Sequence, residues 1–325
     1  MLPCVTDLQS WAKVFQDPDV WRPAIDEIWR MHQLGRVESV EQGFPGSNAV
    51  FLVNHLYWVK ISWPFENSGF EHELECYRML APYRSTLLCP AVLVHGTLHD
   101  ARDWRYFVME DVPGKRLADV WDGVARTDQI EIAEHLGGMV RQLHSVPLDG
   151  LTIIPASTQS WVDFVQERIV TCVADFQQRG GMPAHLLAQV PDYLEEAQPL
   201  SPEDLTPVLM HGDVTEDHVL LSQVAGHWRI TGFIDYGDAL VGHSEYEFTC
   251  VHLGPFGRDG ELTRRFLDAY GWDRWDAEHF ARRLMAYCVI HPWFRFENFV
   301  EELGGDENVR TLQDLERGLW DGEWR

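Results

Sequence analysis

A dense polar loop lies between two apolar segments in VLMHGDVTEDHVLL, residues 208–221. Asp213 could accept the proton of an attacking hydroxyl group or orient that hydroxyl. His218 could face a metal ion from the same loop, and His211 is expected to brace the loop rather than to react. An acidic hairpin turn would contain the same residues, but the apolar flanks on both sides favour a functional loop.

A second pair of carboxylates follows the segment ITGFIDYGDAL, residues 230–240. A buried apolar strand is predicted to end at Asp235, with Asp238 close behind. A carboxylate at a strand end, beside another acidic loop, is a suitable ligand for a Mg²⁺ ion that bridges phosphates. Taken alone, the segment is better explained as a strand followed by a turn.

Lys60 stands in the middle of the apolar strand YWVKI. A cation there is costly unless it is paired. The lysine could neutralise nucleotide phosphates while a carboxylate of the following helix holds it. Glu73 is the best candidate for that carboxylate, with Glu71 and Glu75 as alternatives. A lysine on an edge strand that points to water would explain Lys60 equally well.

The segment GFPGSNAV, residues 43–50, predicts a glycine-rich turn. Gly43 and Gly46 allow the backbone to approach a ligand closely, and successive N–H groups could cradle a phosphate. Ser47 and Asn48 could add side-chain donors. Alone, this is an ordinary hairpin turn. In series with the strand lysine, the helix glutamate and the two acidic loops, it completes the layout of a phosphoryl-transfer enzyme, which holds phosphates, neutralises charge, aligns a hydroxyl and anchors a metal.

The elements that must position these groups change character near residue 112. Hydrophobic periodicity predicts two helices and five strands before that point, at 19–34 and 69–81 and at 37–40, 49–53, 56–62, 91–97 and 105–110. Beyond it, the sequence predicts helices at 127–145, 160–178, 183–198, 259–270 and 276–290, with one hairpin over 214–239. We therefore expect an N-terminal lobe of residues 1–112 and a helical C-terminal lobe of residues 113–325.

Composition limits the possible partners. The 325 residues include 26 Lys and Arg against 51 Asp and Glu, a formal net charge of −25. Such a surface repels nucleic acid and attracts cationic ligands, although a general solubility role explains the charge equally well. The six cysteines form no CxxC pair, which indicates buried thiols in a reducing compartment. No apolar run reaches the ~20 residues of a membrane helix, no signal peptide is visible, and the default location is the cytoplasm.

Four motifs together resemble the aminoglycoside phosphotransferase family, the protein-kinase-like small-molecule kinases. HGDVTEDH (211–218) is similar to the family's HGDxxxxN loop, and GFIDYGDALVG (232–242) to its IDxxDAxxG metal segment. FVMEDVPGKRL (107–117) resembles the hinge, and LGGMVRQLHSVPL (136–148) the helix that ends in Leu-His. A narrower likeness is to the hygromycin B phosphotransferases of the Streptomyces type.

The resemblance implies an α+β, bilobal protein-kinase-like fold, with a small antiparallel-sheet N-lobe and a mainly helical C-lobe. It also implies ATP and Mg²⁺ as cofactors. By resemblance, Asp213 is the catalytic aspartate and Asp235 the main magnesium ligand, while Lys60 binds phosphate with Glu73 as its partner. The backbone of Glu110 and Val112 would hold the adenine ring.

The sequence departs from the family pattern at His218, where the family has a metal-binding Asn. Because Mg²⁺ prefers oxygen ligands and imidazole suits softer metals, the second metal is expected to be absent, held through water or replaced by Mn²⁺. Two further departures are His243, in place of an aspartate, and Tyr246-Glu247, in place of a YD pair. These two are expected to matter less, since they are predicted to lie away from the reacting phosphate.

We therefore expect an ATP-dependent O-phosphotransferase that modifies a hydroxyl of a hygromycin B-like aminoglycoside and confers antibiotic resistance, as a monomer or homodimer. A solvated acidic face or the receptor for the substrate's ammonium groups would account for Asp163, Glu167, Glu297, Glu301 and Glu302. One alternative is a kinase of choline, homoserine, fructosamine or a sugar. Another, motivated by His218, is a nucleotide-binding pseudokinase, which the retained Lys60, Asp213 and Asp235 argue against.

Overall fold

A computed structural model describes residues 2–44, 46–63, 65, 68–100, 102–198, 205–273 and 277–320. The chain forms two compact units. The first comprises Met1–Gly114 and Thr231–Gly237, and the second comprises Lys115–Ile230 and Asp238–Arg325.

The first unit is built on a five-stranded antiparallel sheet with the strand order β1-β2-β3-β5-β4. Its elements are α1 (Leu8–Ala12), α2 (Pro18–His32), β1 (Val40–Gln42), β2 (Ala49–Val53), β3 (Tyr57–Ile61), α3 (Ser68–Leu80), α4 (Arg84–Leu87), β4 (Val92–His99) and β5 (Asp103–Glu110). The helices and strands predicted for residues 19–110 are confirmed with shifts of a few residues at their ends, except that the strand predicted at 37–40 lies instead at Val40–Gln42.

The two faces of this sheet have different partners because side chains alternate along a strand. Phe51, Val59 and Tyr106 belong to a buried apolar cluster that also contains the inward residues of α2. Lys60 stands on the opposite face, in register with Phe107 of β5. The ring of Phe107 packs against aromatic residues of α3, with a ring-centroid distance of 5.0 Å to Phe70. The alternation thus directs Lys60 towards α3.

The segment 231–237 belongs to the first unit, although the sequence placed every residue beyond 112 in the C-terminal lobe. Hydrogen bonds explain this. Thr231 Oγ1 donates to the carbonyl of Pro113 at 2.7 Å, and Phe233 N donates to the carbonyl of Leu88 at 3.2 Å. Contacts between residues more than a hundred positions apart are not visible in local sequence patterns.

The second unit is mainly helical. Its elements are β6 (Lys115–Arg116), α5 (Leu117–Val120), α6 (Arg126–His144), α7 (Thr158–Arg179), α8 (Ala184–Leu187), α9 (Val190–Ala197), β7 (Val208–Met210), β8 (Val219–Val224), β9 (His227–Phe233, of which residues 231–233 belong to the first unit), β10 (Leu240–Gly242), α10 (Ser244–Leu253), α11 (Gly260–Tyr270), α12 (Ala277–Ile290), α13 (Glu297–Glu302) and α14 (Leu312–Trp320). Strands β6, β8 and β9 form one small sheet, and β7 pairs with β10 in another.

Close helix packing organises this unit. A Cβ atom on Gly137 of α6 would lie 2.3 Å from the carbonyl oxygen of Phe266 in α11, so the two helices approach as closely as they do only because residue 137 is glycine. The predicted helix over 183–198 is instead two helices, since Pro191 begins α9 as a new first turn. Among the described residues, every helix lacks either the length or the apolar character needed to cross a membrane.

Candidate active site

Lys60 is the centre of a buried charge cluster in the first unit. Its Nζ atom lies 2.5 Å from Glu73 Oε2 and donates a hydrogen bond of 3.0 Å to Asp235 Oδ1. Glu71, one of the alternatives that the sequence left open, pairs with Arg105 instead. Residues two positions apart on a helix point in nearly opposite directions, so one helix face selects Glu73 and excludes Glu71.

The charges in this cluster support one another. Burial lowers the pKa of Lys60, but the carboxylates of Asp235 and Glu73 outweigh that effect and hold it above its ordinary value. Burial raises the pKa of Glu73, and the charge of Asp235 adds to the rise, while Lys60 opposes it. The amino group therefore stays protonated at neutral pH in a dry environment, where a cation binds an anionic group strongly.

Asp235 lies just beyond β9 in an unusual backbone conformation. Its φ of +65° is in the left-handed region, which non-glycine residues rarely adopt. The hydroxyl of Tyr77 on α3 lies within hydrogen-bonding distance of Asp235 N, at 3.2 Å. The carboxylate is 44% exposed and rests beside the buried Lys60. The first unit thus presents a partly open oxygen ligand next to a fixed positive charge.

The glycine turn lies between β1 and β2, and its Pro45 is outside the described residues. A Cβ atom on Gly43 would lie 2.8 Å from the carbonyl oxygen of Val50, so the turn requires glycine at that position. Ser47 is exposed, and its carbonyl accepts a hydrogen bond from Trp11 Nε1 at 3.2 Å. The backbone of Ser47 is thereby tied to α1, and its hydroxyl lies 3.5 Å from Asn48 Nδ2.

The residues that resemble a kinase hinge, Glu110 and Val112, lie at the end of β5 and just beyond it. Glu110 is its last residue, donates its backbone N–H to Ala91, and pairs through its side chain with Arg84 at 2.8 Å. Val112 follows outside any helix or strand and is half-buried. Between them, Asp111 accepts a hydrogen bond of 2.7 Å from Trp58 Nε1, which ties this segment to β3.

The polar loop of residues 211–218 joins β7 to β8 in the second unit. It is named the catalytic loop below because the resemblance predicts the catalytic aspartate there. His211 is fully buried, and its Nδ1 accepts the backbone N–H of Asp213 at 3.3 Å. Gly212 has a φ of +82°, and a Cβ there would lie 2.1 Å from the carbonyl oxygen of Asp238. The backbone therefore turns sharply just before Asp213, whose carboxylate is 34% exposed.

His218 contacts Asp213 twice. Its Nδ1 lies 2.8 Å from the carbonyl oxygen of Asp213 and 3.4 Å from its Oδ2. A carbonyl oxygen only accepts, so we assign the ring proton to Nδ1, which leaves the lone pair on Nε2 in the neutral ring. Metal-binding histidines commonly donate their other N–H to a carbonyl in this way. The imidazole thus orients Asp213 and is in the tautomer that can bind a metal.

Glu247 of α10 and His144 of α6 complete the support of this loop. The fully buried carboxylate of Glu247 accepts the backbone N–H groups of His211 and Gly212, each at 2.9 Å. It also lies 3.1 Å from His144 Nε2, whose ring contacts Tyr270 Oη through Nδ1. Although burial raises the pKa of Glu247, these hydrogen bonds and the nearby His144 hold it below its ordinary value.

From the sequence we expected the Tyr246-Glu247 departure to have little effect on the site, and we assigned no role to His144. The available signals were the Leu-His at the end of a helix and an acidic residue inside an apolar segment. Neither signal shows that the two side chains meet 103 positions apart.

Asp235 and His218 each carry a side chain that is able to bind a metal ion. Among the described residues there is no cluster of three or more His, Cys, Asp or Glu side chains that could hold an ion alone. Asp235 offers carboxylate oxygen, the ligand that Mg²⁺ prefers, while His218 offers nitrogen, which suits softer ions. Such sparse protein ligation is typical of Mg²⁺ sites that also use substrate phosphates.

Comparisons with known proteins identify the family of the chain and its fold. The model of the phosphotransferase enzyme family (APH) matches residues 42–283, more than half of the chain. The chain is similar to the GDP complex of wild-type aminoglycoside 2'-phosphotransferase-IIIa, with a TM-score of 0.64, 18% identity, and coverage of 92% of this chain and 95% of that one. It is also similar to the streptomycin–ATP complex of APH(2")-IIa, with a TM-score of 0.58, 17% identity, and coverage of 81% and 86%.

Lysine-specific demethylase JMJ21 of Arabidopsis thaliana is 21% identical over 202 residues. That match covers 52% of this chain and 21% of the demethylase, so the chain spans about a fifth of the length of this relative. The solved structures, at these identities, show a shared fold. The α+β, protein-kinase-like fold predicted from the sequence is confirmed.

Proposed function

Because this chain belongs to the phosphotransferase enzyme family, we propose that it transfers the terminal phosphoryl group of ATP to a hydroxyl of a small cationic acceptor. The observation that carries this proposal is the buried Lys60, held by Glu73 and adjoining the half-exposed Asp235. A cation buried in this way, beside a carboxylate that is still partly open, is suited to bind phosphate oxygens and a metal together.

Each side chain then has one task. Lys60 neutralises phosphate charge, Glu73 keeps Lys60 in place, and Asp213 orients the acceptor hydroxyl or takes up its proton. Ser47 contacts phosphate from the glycine turn, while backbone groups of Glu110 and Val112 hold the adenine. In this proposal, residues 1–112 form the nucleotide-binding lobe together with the segment 231–237, and the rest of residues 113–325 form the lobe that binds the acceptor.

The proposed metal is Mg²⁺, held mainly by Asp235, with His218 as a second protein ligand through Nε2. A bound ion would neutralise charge on the transferring phosphate. Since nitrogen suits softer ions, the wild-type protein should use Mn²⁺ well compared with Mg²⁺, and His218→Asn should move the preference towards Mg²⁺. Titration of each metal, with nucleotide binding followed by calorimetry, measures this directly.

The proposed acceptor class is the aminoglycosides, and the proposed activity would confer resistance to them. The net charge of −25 favours a polycationic acceptor over an anionic one. Within this class, a hygromycin B-like compound is the narrower proposal. The candidates to receive its ammonium groups are five acidic residues of the second unit, all exposed except the half-buried Glu297, namely Asp163, Glu167, Glu297, Glu301 and Glu302.

A panel of acceptors tests the proposal. Purified protein with ATP and Mg²⁺ or Mn²⁺ should release ADP in the presence of one or more aminoglycosides, and the expressed chain should protect bacteria from them. Asp213→Asn should abolish turnover without unfolding the protein, whereas Asp103→Asn, an exposed carboxylate on β5, should not change it. Turnover of choline, homoserine, fructosamine or a sugar alone would retain the transfer reaction and overturn the acceptor class. Nucleotide binding without transfer to any acceptor would indicate a pseudokinase.

A further inference from the structure

The catalytic loop is held at both ends, by two different sets of contacts. Its first residues are held by the buried Glu247, as described above. Its last residues are held by the segment 115–119, which comprises β6 and the start of α5. Between the anchors, the loop runs as turns, closed by hydrogen bonds from Thr215 N to the carbonyl of Asp213 at 2.9 Å and from His218 N to the carbonyl of Thr215 at 3.2 Å.

The second anchor begins with backbone contacts. Arg116 is paired in register with Leu220 of β8, just after the loop. Ala118 N donates to the carbonyl of Glu216, within the loop, at 3.0 Å. The segment 115–119 therefore follows the far end of the catalytic loop over several residues.

The side chain of Arg116 adds a forked ionic contact to this anchor. Its Nε and Nη2 atoms donate to the two carboxylate oxygens of Asp119, at 2.9 and 2.6 Å. Its Nη1 atom donates to Asp217 Oδ1 at 2.9 Å. Asp119 thus fixes the plane of the guanidinium, and the remaining Nη1 is directed at Asp217, the residue directly before His218.

We propose that Arg116 is a positioning residue for phosphoryl transfer, which latches the far end of the catalytic loop through Asp217 and so fixes His218. Because His218 Nδ1 binds the carbonyl of Asp213, the latch reaches the aspartate that orients the acceptor. This inference rests on the proposed function. Arg116 is 26% and Asp217 37% exposed in their side chains. Pairs this exposed contribute little to global stability, so the role of the latch is local order.

The proposal makes arginine and lysine unequal at this position. A lysine has one ammonium group and lacks the fork that engages Asp119 in two places while a third N–H reaches Asp217. Arg116→Lys should therefore retain only part of the protection from amide exchange and of the kcat that Arg116→Ala loses. Asp217→Asn should resemble Arg116→Ala in its effect on the loop, and the double variant should be no worse than the poorer single variant, because both substitutions remove the contact between Arg116 and Asp217.

The experiment has two independent readouts. The first is hydrogen exchange of the backbone amides of residues 213–218 in the protein without substrate, which should speed up about tenfold in Arg116→Ala relative to the wild type. The second is steady-state kinetics, in which kcat should fall about tenfold with little change in the KM for nucleotide, since the reacting hydroxyl is misaligned while nucleotide binding is intact. Arg126→Ala is the matched control, because Arg126 also bridges two acidic residues, Asp259 and Glu261, but makes its contacts away from the loop.

Unchanged amide exchange in Arg116→Ala and Asp217→Asn overturns the latch. Faster exchange with an unchanged kcat overturns its role in the reaction. If the wild-type protein transfers phosphate to no acceptor, the proposed function fails, while the exchange measurement still decides whether the latch exists. Should Arg116→Ala fold poorly, Asp217→Asn and Arg116→Lys provide the same comparison.

Discussion

Protonation of His291 should weaken this protein in mild acid. The imidazole follows α12, is half-buried, and stacks on the ring of Tyr246 with a centroid distance of 5.4 Å. Its Nδ1 accepts a hydrogen bond of 3.2 Å from Trp293 N. Burial lowers the pKa of His291 to about 4, and the charges of Arg168 and Arg179 add to that effect, while a hydrogen bond with the Gly212 backbone opposes it.

The size of the effect follows from the two pKa values. An unfolded histidine has a pKa of about 6.5, whereas folded His291 has one of about 4. The folded-state pKa is lowered, so between these values the unfolded chain binds the proton more readily. The stability that the neutral ring contributes is therefore present above pH 6.5 and is lost as the pH falls towards 4. Protonation linkage gives a loss of roughly 2 kcal/mol at pH 5 and roughly 3 kcal/mol at pH 4.

Urea denaturation at pH 7.5, 6 and 5 measures this, with the wild type compared to His291→Gln, which cannot titrate. The free energy of unfolding of the wild type should fall about 2 kcal/mol more than that of His291→Gln between pH 7.5 and 5. The buried His252, whose pKa is also lowered to about 4, contributes equally to both proteins and cancels. The exposed His99→Gln should follow the wild type. Parallel pH curves for wild type and His291→Gln would refute the reasoning.

Other substitutions test the buried charges and the backbone shape of the site separately. Lys60→Met leaves the buried Glu73 without its cation and should reduce the free energy of unfolding by about 3 kcal/mol in chemical denaturation. Glu73→Gln leaves Lys60 with Asp235, so it should reduce the free energy of unfolding by less than about 1 kcal/mol. It should nevertheless slow the formation of ADP in the turnover assay. Gly212→Ala should be inactive and should lower the melting temperature much more than Gly226→Ala does. Both glycines have a positive φ, but a Cβ on Gly212 would collide with a backbone oxygen, whereas a Cβ on Gly226 would meet no described atom within 4 Å. Glu247→Gln places an NH₂ group against one of the two backbone donors, because each donor binds a different carboxylate oxygen. It should cost roughly 2 kcal/mol in urea denaturation and reduce kcat, and an unchanged kcat would contradict its support of the loop.

Local patterns predicted most elements because those elements have two unlike faces. Helix α6 alternates apolar and polar residues with helical period, and its predicted range of 127–145 is confirmed as Arg126–His144. Helix α10 was not predicted. It is buried along nearly its whole length, with Glu245, Glu247 and His252 buried among its apolar residues, so it has no polar face to set a period.

The sequence by itself determined the family, the presence of a lysine within an apolar strand, and the identity of the residues able to do chemistry, because these depend on residue type and on neighbours a few positions away. Only the tertiary structure decided which groups meet. It selected Glu73 over Glu71, moved Asp235 into the same unit as Lys60, and placed Glu247 and Arg116 at the two ends of the catalytic loop. These contacts join residues from thirteen to more than a hundred positions apart, and chain packing, rather than local propensity, brings such residues together.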